Sequence, residues 1–388
     1  MTPRDVRSAL LSAPVPDELE AQRRAWAVVR AAHAEREPVR RPRRLRPLIA
    51  LAVLAALVAA ALSPPGRAVG DWIRDRVAGE EQTEPALFRL PAAGQLLVVS
   101  ERGPWLVRAD GSKRLLGAYE DASFSPSARF VVATRGRRLV ALEPDGDPRW
   151  SVTKPLPVAD ARWAPSPGFR VAYRAGETLR VVAGDGTGDR LLVEGVAPVA
   201  PAWQPLEDRT VLAYADTAGR VHVVEADGEE LWSVDPGAAP AKLVWSPDGR
   251  VLLVVTNGLR HPLYRQGGRP AGAITTPRAH AVLDAEFAPG TRRVAYSAFD
   301  SESGRGIVVL GNERLQRVEG RISDLAFSPD GRWLLAGWPE ADQLLFLRLP
   351  GVGRIVAVDD VRREFDPGSP AIGEFPRISG WCCAPPAG

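Results

Sequence analysis

Cysteine is almost missing from this chain: the 388 residues contain two, adjacent, at Cys382 and Cys383. That excludes a disulfide framework and equally a thiol-rich pattern. The pair is expected to be small buried hydrophobes, with a vicinal disulfide as the alternative. Histidine is also scarce. His33, His222, His261 and His280 lie far apart and show no metal-ligand spacing, so no metal or cofactor is expected. Phosphate-binding loops, dinucleotide fingerprints and Gly-x-Ser-x-Gly elbows are lacking too. Lysine occurs only at Lys113, Lys154 and Lys242, so nearly all the positive charge is arginine. Together with heavy Ala, Gly and Pro usage this points to a GC-rich bacterial genome.

The net charge of +3 hides an asymmetry. Residues 1–46 carry eleven Arg against six Asp and Glu, which leaves the remainder slightly acidic. The main body therefore has no electrostatic footprint for nucleic acid, and none is expected as a partner.

The N-terminal region reads as three segments. Residues 16–37 pattern as a helix opened by Pro16 and Asp17, with Asp17, Glu18 and Glu20 in its first turn. It is followed by six arginines between Arg36 and Arg46, and then by an unbroken apolar run, Leu48–Leu62. Fifteen residues at 1.5 Å rise reach only about 22 Å, short of a hydrocarbon core of about 30 Å, but arginines that snorkel can cover the difference. A membrane anchor over 47–63 is expected, with the arginine-rich arm (1–46) cytoplasmic and the rest outside. A cleaved signal peptide is the competing reading, and the 47 residues ahead of Leu48 are long for it. Residues 64–85 are expected to form an interfacial helix and a linker.

From residue 86 onward one phrase recurs: an aromatic residue, any residue, then proline. It stands at Phe124, Trp163, Trp203, Trp245, Phe287 and Phe327, at intervals of 39, 40, 42, 42 and 40 residues. A fixed period near forty, with four short strands and Gly/Asp/Pro turns in each unit, is that of a β-propeller blade. Residues 87–119 contain three strands without a first one, and Arg377–Trp381 supplies a lone first strand. Its Trp381-Cys382-Cys383 stands where the phrase would fall. The expected fold is all-β: a seven-bladed β-propeller over 86–388, closed by strands shared between the termini, with six blades as the fallback. Such closure leaves no free sheet edge.

Trp245-Ser-Pro-Asp-Gly-Arg250 and Phe327-Ser-Pro-Asp-Gly-Arg332 resemble the signature of TolB-like propellers, a family similar in fold to WD-repeat propellers. The resemblance implies an envelope location and protein binding rather than catalysis. Asp145-Gly-Asp-Pro-Arg-Trp150 and Asp227-Gly-Glu-Glu-Leu-Trp232 are similar to repeats of quinoprotein-type propellers, and their tryptophans are expected to pack between blades. The topology of arm, single span and external domain resembles transmembrane anti-sigma regulators.

The candidate site is a set of four carboxylates. Asp121, Asp160, Asp284 and Asp324 all lie three residues before their blade's aromatic. Equivalent repeat positions share one level of a ring, so these are candidate contacts at one end of the channel for a cation or a basic partner segment. The alternative is that each accepts backbone N–H bonds and holds its own turn. Gly184–Asp189 is expected to be a glycine-rich turn rather than a calcium loop. Three functions are carried forward: a membrane-anchored extracytoplasmic binding propeller that signals through its arm, a propeller enzyme of lyase, cyclase or dehydrogenase type, and a plain scaffold.

Overall fold

The computed structural model describes residues 89–383, apart from 166–168, 278–279, 350–354 and 368–372. The expected arm, anchor and interfacial helix lie outside the described residues. Among those described, no helix is long and apolar enough to cross a membrane. The chain divides into two compact units, Met1–Thr83 and Glu84–Gly388, and the described residues all belong to the second.

Seven four-stranded antiparallel sheets make up this unit. Six are simple meanders: blade 1 (121–153), blade 2 (158–194), blade 3 (202–234), blade 4 (240–275), blade 5 (280–319) and blade 6 (325–358). Blade 7 joins the two ends of the repeat region. Its first strand, Arg377–Cys382, pairs with Gln95–Ser100, which continues through Gly103–Arg108 to Lys113–Leu115. Each blade's first strand touches the first strand of the next, and Arg377–Cys382 touches both Leu325–Phe327 and Asp121–Phe124. The ring is therefore closed with seven blades, and the six-blade fallback is discarded.

The core lies between blades. Seven apolar clusters occupy the seven inter-blade layers. Second strands sit in the middle of a sheet with neighbours on both faces, so they read as continuous apolar runs: every residue of Val251–Thr256 is buried.

The repeated phrase has a distinct task for each residue. Where its middle residue is serine, the hydroxyl is buried and accepts an N–H at the start of the second strand or just before it. These bonds are Phe130 to Ser125, Val251 to Ser246 and Trp333 to Ser328, each 3.0 Å. In the two Asp-Gly copies the serine hydroxyl also donates to Asp248 or Asp330, at 2.6 Å. That carboxylate in turn accepts the N–H of the residue after the glycine. The aromatic stitches blades together. Trp203 Nε1 donates to the Arg162 carbonyl at 2.8 Å and Trp245 Nε1 to the Ala202 carbonyl at 3.1 Å, each in the preceding first strand. Trp150 Nε1 likewise donates across a blade boundary to Gly184 O at 2.7 Å, and Trp232 meets Trp245 edge-on at 6.3 Å.

The damaged copy at Trp381 keeps the aromatic in the core, while its two cysteines form a vicinal disulfide and are half-buried. The expectation of buried thiols is corrected on this point. The pair ends the closing strand at the surface, against the Pro126 carbonyl.

Alternating strand direction defines two faces. The aromatic-x-Pro turns lie on one, and the connections from each outer strand to the next first strand lie on the other. Because the closing strand ends at Cys382 and its neighbour starts at Gln95, both chain ends of the ring emerge on the turn face. Among the described residues, neither end of the ring leaves from the connection face.

Candidate functional site

A first strand starts at the connection face, so the residue three before each aromatic sits at that end of the channel. Around the ring this position is Asp121, Asp160, Ala200, Lys242, Asp284, Asp324 and Ile378. The four aspartates selected from sequence thus share a level with Lys242, which the same spacing from Trp245 identifies although it was not among the expected site residues.

Lys242 Nζ donates to Asp284 at 2.6 Å and to Glu286 at 2.7 Å, bridging blades 4 and 5. Burial pulls this ammonium down, but the two carboxylates outweigh that and hold it above the ordinary lysine range. Glu286 is pushed up, by burial first and by Asp284, with Lys242 opposing. Asp284 does more than pair with lysine: it accepts its own strand's Ala285 N–H at 2.9 Å and the Leu325 N–H of blade 6 at 2.7 Å. Asp324 repeats that reach and accepts the Ile378 N–H of blade 7 at 3.0 Å. Two of the four aspartates therefore latch one first strand to the next, which is backbone capping across a blade boundary rather than within a turn.

Asp121 accepts from Arg162 Nη1 at 3.0 Å, and Arg377 lies 3.7 Å from its other oxygen. Asp160 stands apart from this network. It sits on a bulge between Ala159 and Arg162, with φ of 55°, and its carboxylate pairs within blade 2 with Arg174 Nε at 2.6 Å. The level holds five acids, counting Glu286, against Lys242, Arg162, Arg174 and Arg377, an excess of one negative charge. Asp324 is the acid without a side-chain cation bonded to it among the described residues. Burial and then the Asp284 charge push it up to about 6, against the Ile378 N–H, Lys242 and Arg377. A carboxyl titrating there can exchange a proton near neutral pH or accept an incoming cation.

No cluster of three or more His, Cys, Asp or Glu suited to a metal occurs among the described residues. The Gly184–Asp189 stretch is a turn: Asp185 accepts the Thr187 N–H and hydroxyl, while Asp189 faces inward to Lys154, Tyr173 and Arg180.

One structural feature was not expected from the sequence. Between blades 6 and 7 the chain forms a short helix, Val361–Phe365, with Val361 and Phe365 fully buried. The buried Asp366 accepts from Ser100 Oγ at 2.7 Å and from the Glu101 and Arg102 N–H groups. Arg362 pairs with Asp342 of blade 6 at 3.1 Å. This insert clips the closing blade to its neighbour on the connection face.

Fold and site together define a WD40-like seven-bladed propeller with a charged channel mouth. No family model matches the sequence, and no curated protein matches it. Among solved structures, the chain is similar to BBS1N in its crystal structure with ARL6DN (16% identity, TM-score 0.51, 63% of this chain and 83% of that one). It is similar as well to the Cps50 (Swd1) β-propeller domain of Myceliophteria thermophila (15%, TM-score 0.50, 69% and 96%). A third is KlHsv2 with loop 6CD replaced by a Gly-Ser linker (11%, TM-score 0.52, 66% and 89%). At these identities the likeness shows the fold alone.

Proposed function

We infer that this chain is a non-enzymatic, membrane-anchored bacterial propeller of TolB-like type. It presents its ring outside the cell, binds a protein or a small envelope ligand there, and signals through the cytoplasmic arm. The observation that carries the binding role is the channel mouth: Asp324, without a bonded side-chain cation among the described residues, sits beside Asp284 on the connection face. That geometry suits a lysine or arginine side chain from a basic partner segment, which would pair with Asp324 as Lys242 pairs with Asp284 and Glu286. Rigid propellers commonly serve as protein-binding scaffolds, and one structural neighbour was solved in complex with a protein. The anchor and orientation rest on the basic arm followed by Leu48–Leu62.

The test has two arms. Protease applied to intact cells should remove a C-terminal tag, and a protected tag would overturn the external placement. Affinity capture with residues 1–46 and with residues 84–388 as separate baits should give different, reproducible partners. Partners for neither bait would sink the signalling role.

An enzymatic reading draws on one observation, the Asp324 carboxyl near pH 6 beside Asp284, which matches a proton donor for lyase-type chemistry. It requires turnover that Asp324→Asn abolishes.

A further inference from the structure

Away from the channel mouth, a cleft of about 360 Å³ opens at the outer rim between blades 1 and 2, on the connection face. Its floor is charged and its walls are apolar. On one side the connection from blade 1 brings Lys154 and Leu156; on the other, blade 2 supplies Arg180 and Leu191. Gly176, with φ of 60°, lies under Leu156, where a Cβ would come within 3.0 Å of a leucine methyl. The glycine turn is what lets Leu156 fold over the cleft.

The floor has one cation too many. Lys154 and Arg180 share the single carboxylate of Asp189, which also accepts the Tyr173 hydroxyl at 2.5 Å. All three charged groups are well shielded, their side chains being 13%, 23% and 12% exposed. Burial, and then the Arg180 charge, pulls the Lys154 ammonium down. Arg180 donates to Asp189 through Nε and Nη2, and Lys154 donates to the same carboxylate with one of its three donors. Both cations line the cleft.

The walls are unusual for the opposite reason. Leu156 and Leu191 are two of the six exposed large apolar side chains among the described residues, at 48% and 43%, and both line this one cleft. The remaining charge there, the exposed Glu194 at the rim, disfavours polyanions. A single anionic head with an aliphatic tail satisfies all three features: head to Lys154 and Arg180, tail between the leucines, one negative charge past Glu194. The volume lies within the range of small-molecule sites.

We propose that the rim cleft between blades 1 and 2 binds an aliphatic monocarboxylate, with Lys154 and Arg180 holding the carboxylate and Leu156 and Leu191 enclosing the chain. The test is calorimetric titration of the purified full-length chain with octanoate, against octylamine, octanol and acetate as controls for head charge and tail. Octanoate should saturate one site below millimolar concentration, while each control binds at least tenfold more weakly. Lys154→Met should weaken octanoate at least tenfold. Leu191→Ser, at an exposed side chain that makes no hydrogen bond of its own, should weaken it several-fold at an unchanged melting temperature. Equal binding of octanol and octanoate, or octanoate binding indifferent to both variants, would overturn the assignment.

Discussion

Replacing Lys242 by methionine tests whether the channel-mouth charges hold blades 4 and 5 together. The variant keeps the aliphatic stem and removes the ammonium, leaving Asp284 and Glu286 as neighbouring unpaired acids. Losing one partner of a fully buried pair costs about 3–5 kcal/mol, whereas exposed pairs are worth about 0–1. Here Asp284 is 10% exposed, but Lys242 and Glu286 keep 35% and 34%, so channel water screens much of the loss. The expected cost at pH 7 is about 2 kcal/mol, which lowers the melting temperature by about 3–6 °C in a domain of this size. The pH dependence supplies the sharper check. Burial and the Asp284 charge already push Glu286 up against Lys242, so removing the ammonium takes away the opposing charge and leaves Glu286 the more readily protonated as pH falls, which relieves the repulsion. The difference between variant and wild type should therefore shrink as pH falls from 7 to about 4.5. Urea unfolding followed by tryptophan fluorescence at four pH values measures this. A penalty below about 0.5 kcal/mol, or one constant across that range, would refute the reasoning.

The Asp324 carboxyl titrates at about 6 in the fold against 3.8 otherwise, so its protonated form favours folding; that contribution is complete below pH 3.8 and lost as pH rises through 6. Asp324→Asn, which can still accept the Ile378 N–H, should be about 1–2 kcal/mol more stable than wild type at about pH 7.5 and equal to it at about pH 3.5, by thermal melts at both pH values. Ser246→Ala and Ser328→Ala each leave a buried strand N–H without its acceptor and should each cost about 1–2 kcal/mol in urea unfolding. Trp203→Phe breaks an inter-blade bond, whereas Trp163→Phe removes an indole N–H that is buried without a partner among the described residues. The first should cost about 1 kcal/mol more than the second, and equal costs would argue against the stitching role.

The ring was legible because a blade is a local object. Spacing between aromatics, glycine turns and runs such as Val221–Glu225 declare themselves within forty residues, and the seventh blade came from matching the two incomplete ends. The site was legible only as a level. That Asp284 reaches the Leu325 N–H and Asp324 the Ile378 N–H depends on contacts 41 and 54 residues apart, which no local pattern encodes. Asp160 keeps the level but pairs within its own blade, because it sits on a bulge and its carboxylate meets Arg174. Lys242 is findable by the same count of three, but only when like positions rather than like residues are compared around the ring. The insert at Val361–Phe365 breaks the repeat, and its anchoring through Asp366 to Ser100 joins opposite ends of the propeller sequence.

The binding role of the channel mouth is tested most directly by comparing two full-length baits, wild type and the variant with Asp121, Asp160, Asp284 and Asp324 all changed to asparagine. Recovery of each captured protein is quantified from equal amounts of folded bait, with folding confirmed by melting. Partners of the wild-type ring should fall at least fivefold on the variant while captures through residues 1–46 stay level. Unchanged recovery on a folded variant would contradict the account and leave the four aspartates with structural roles in and between blades and nothing more.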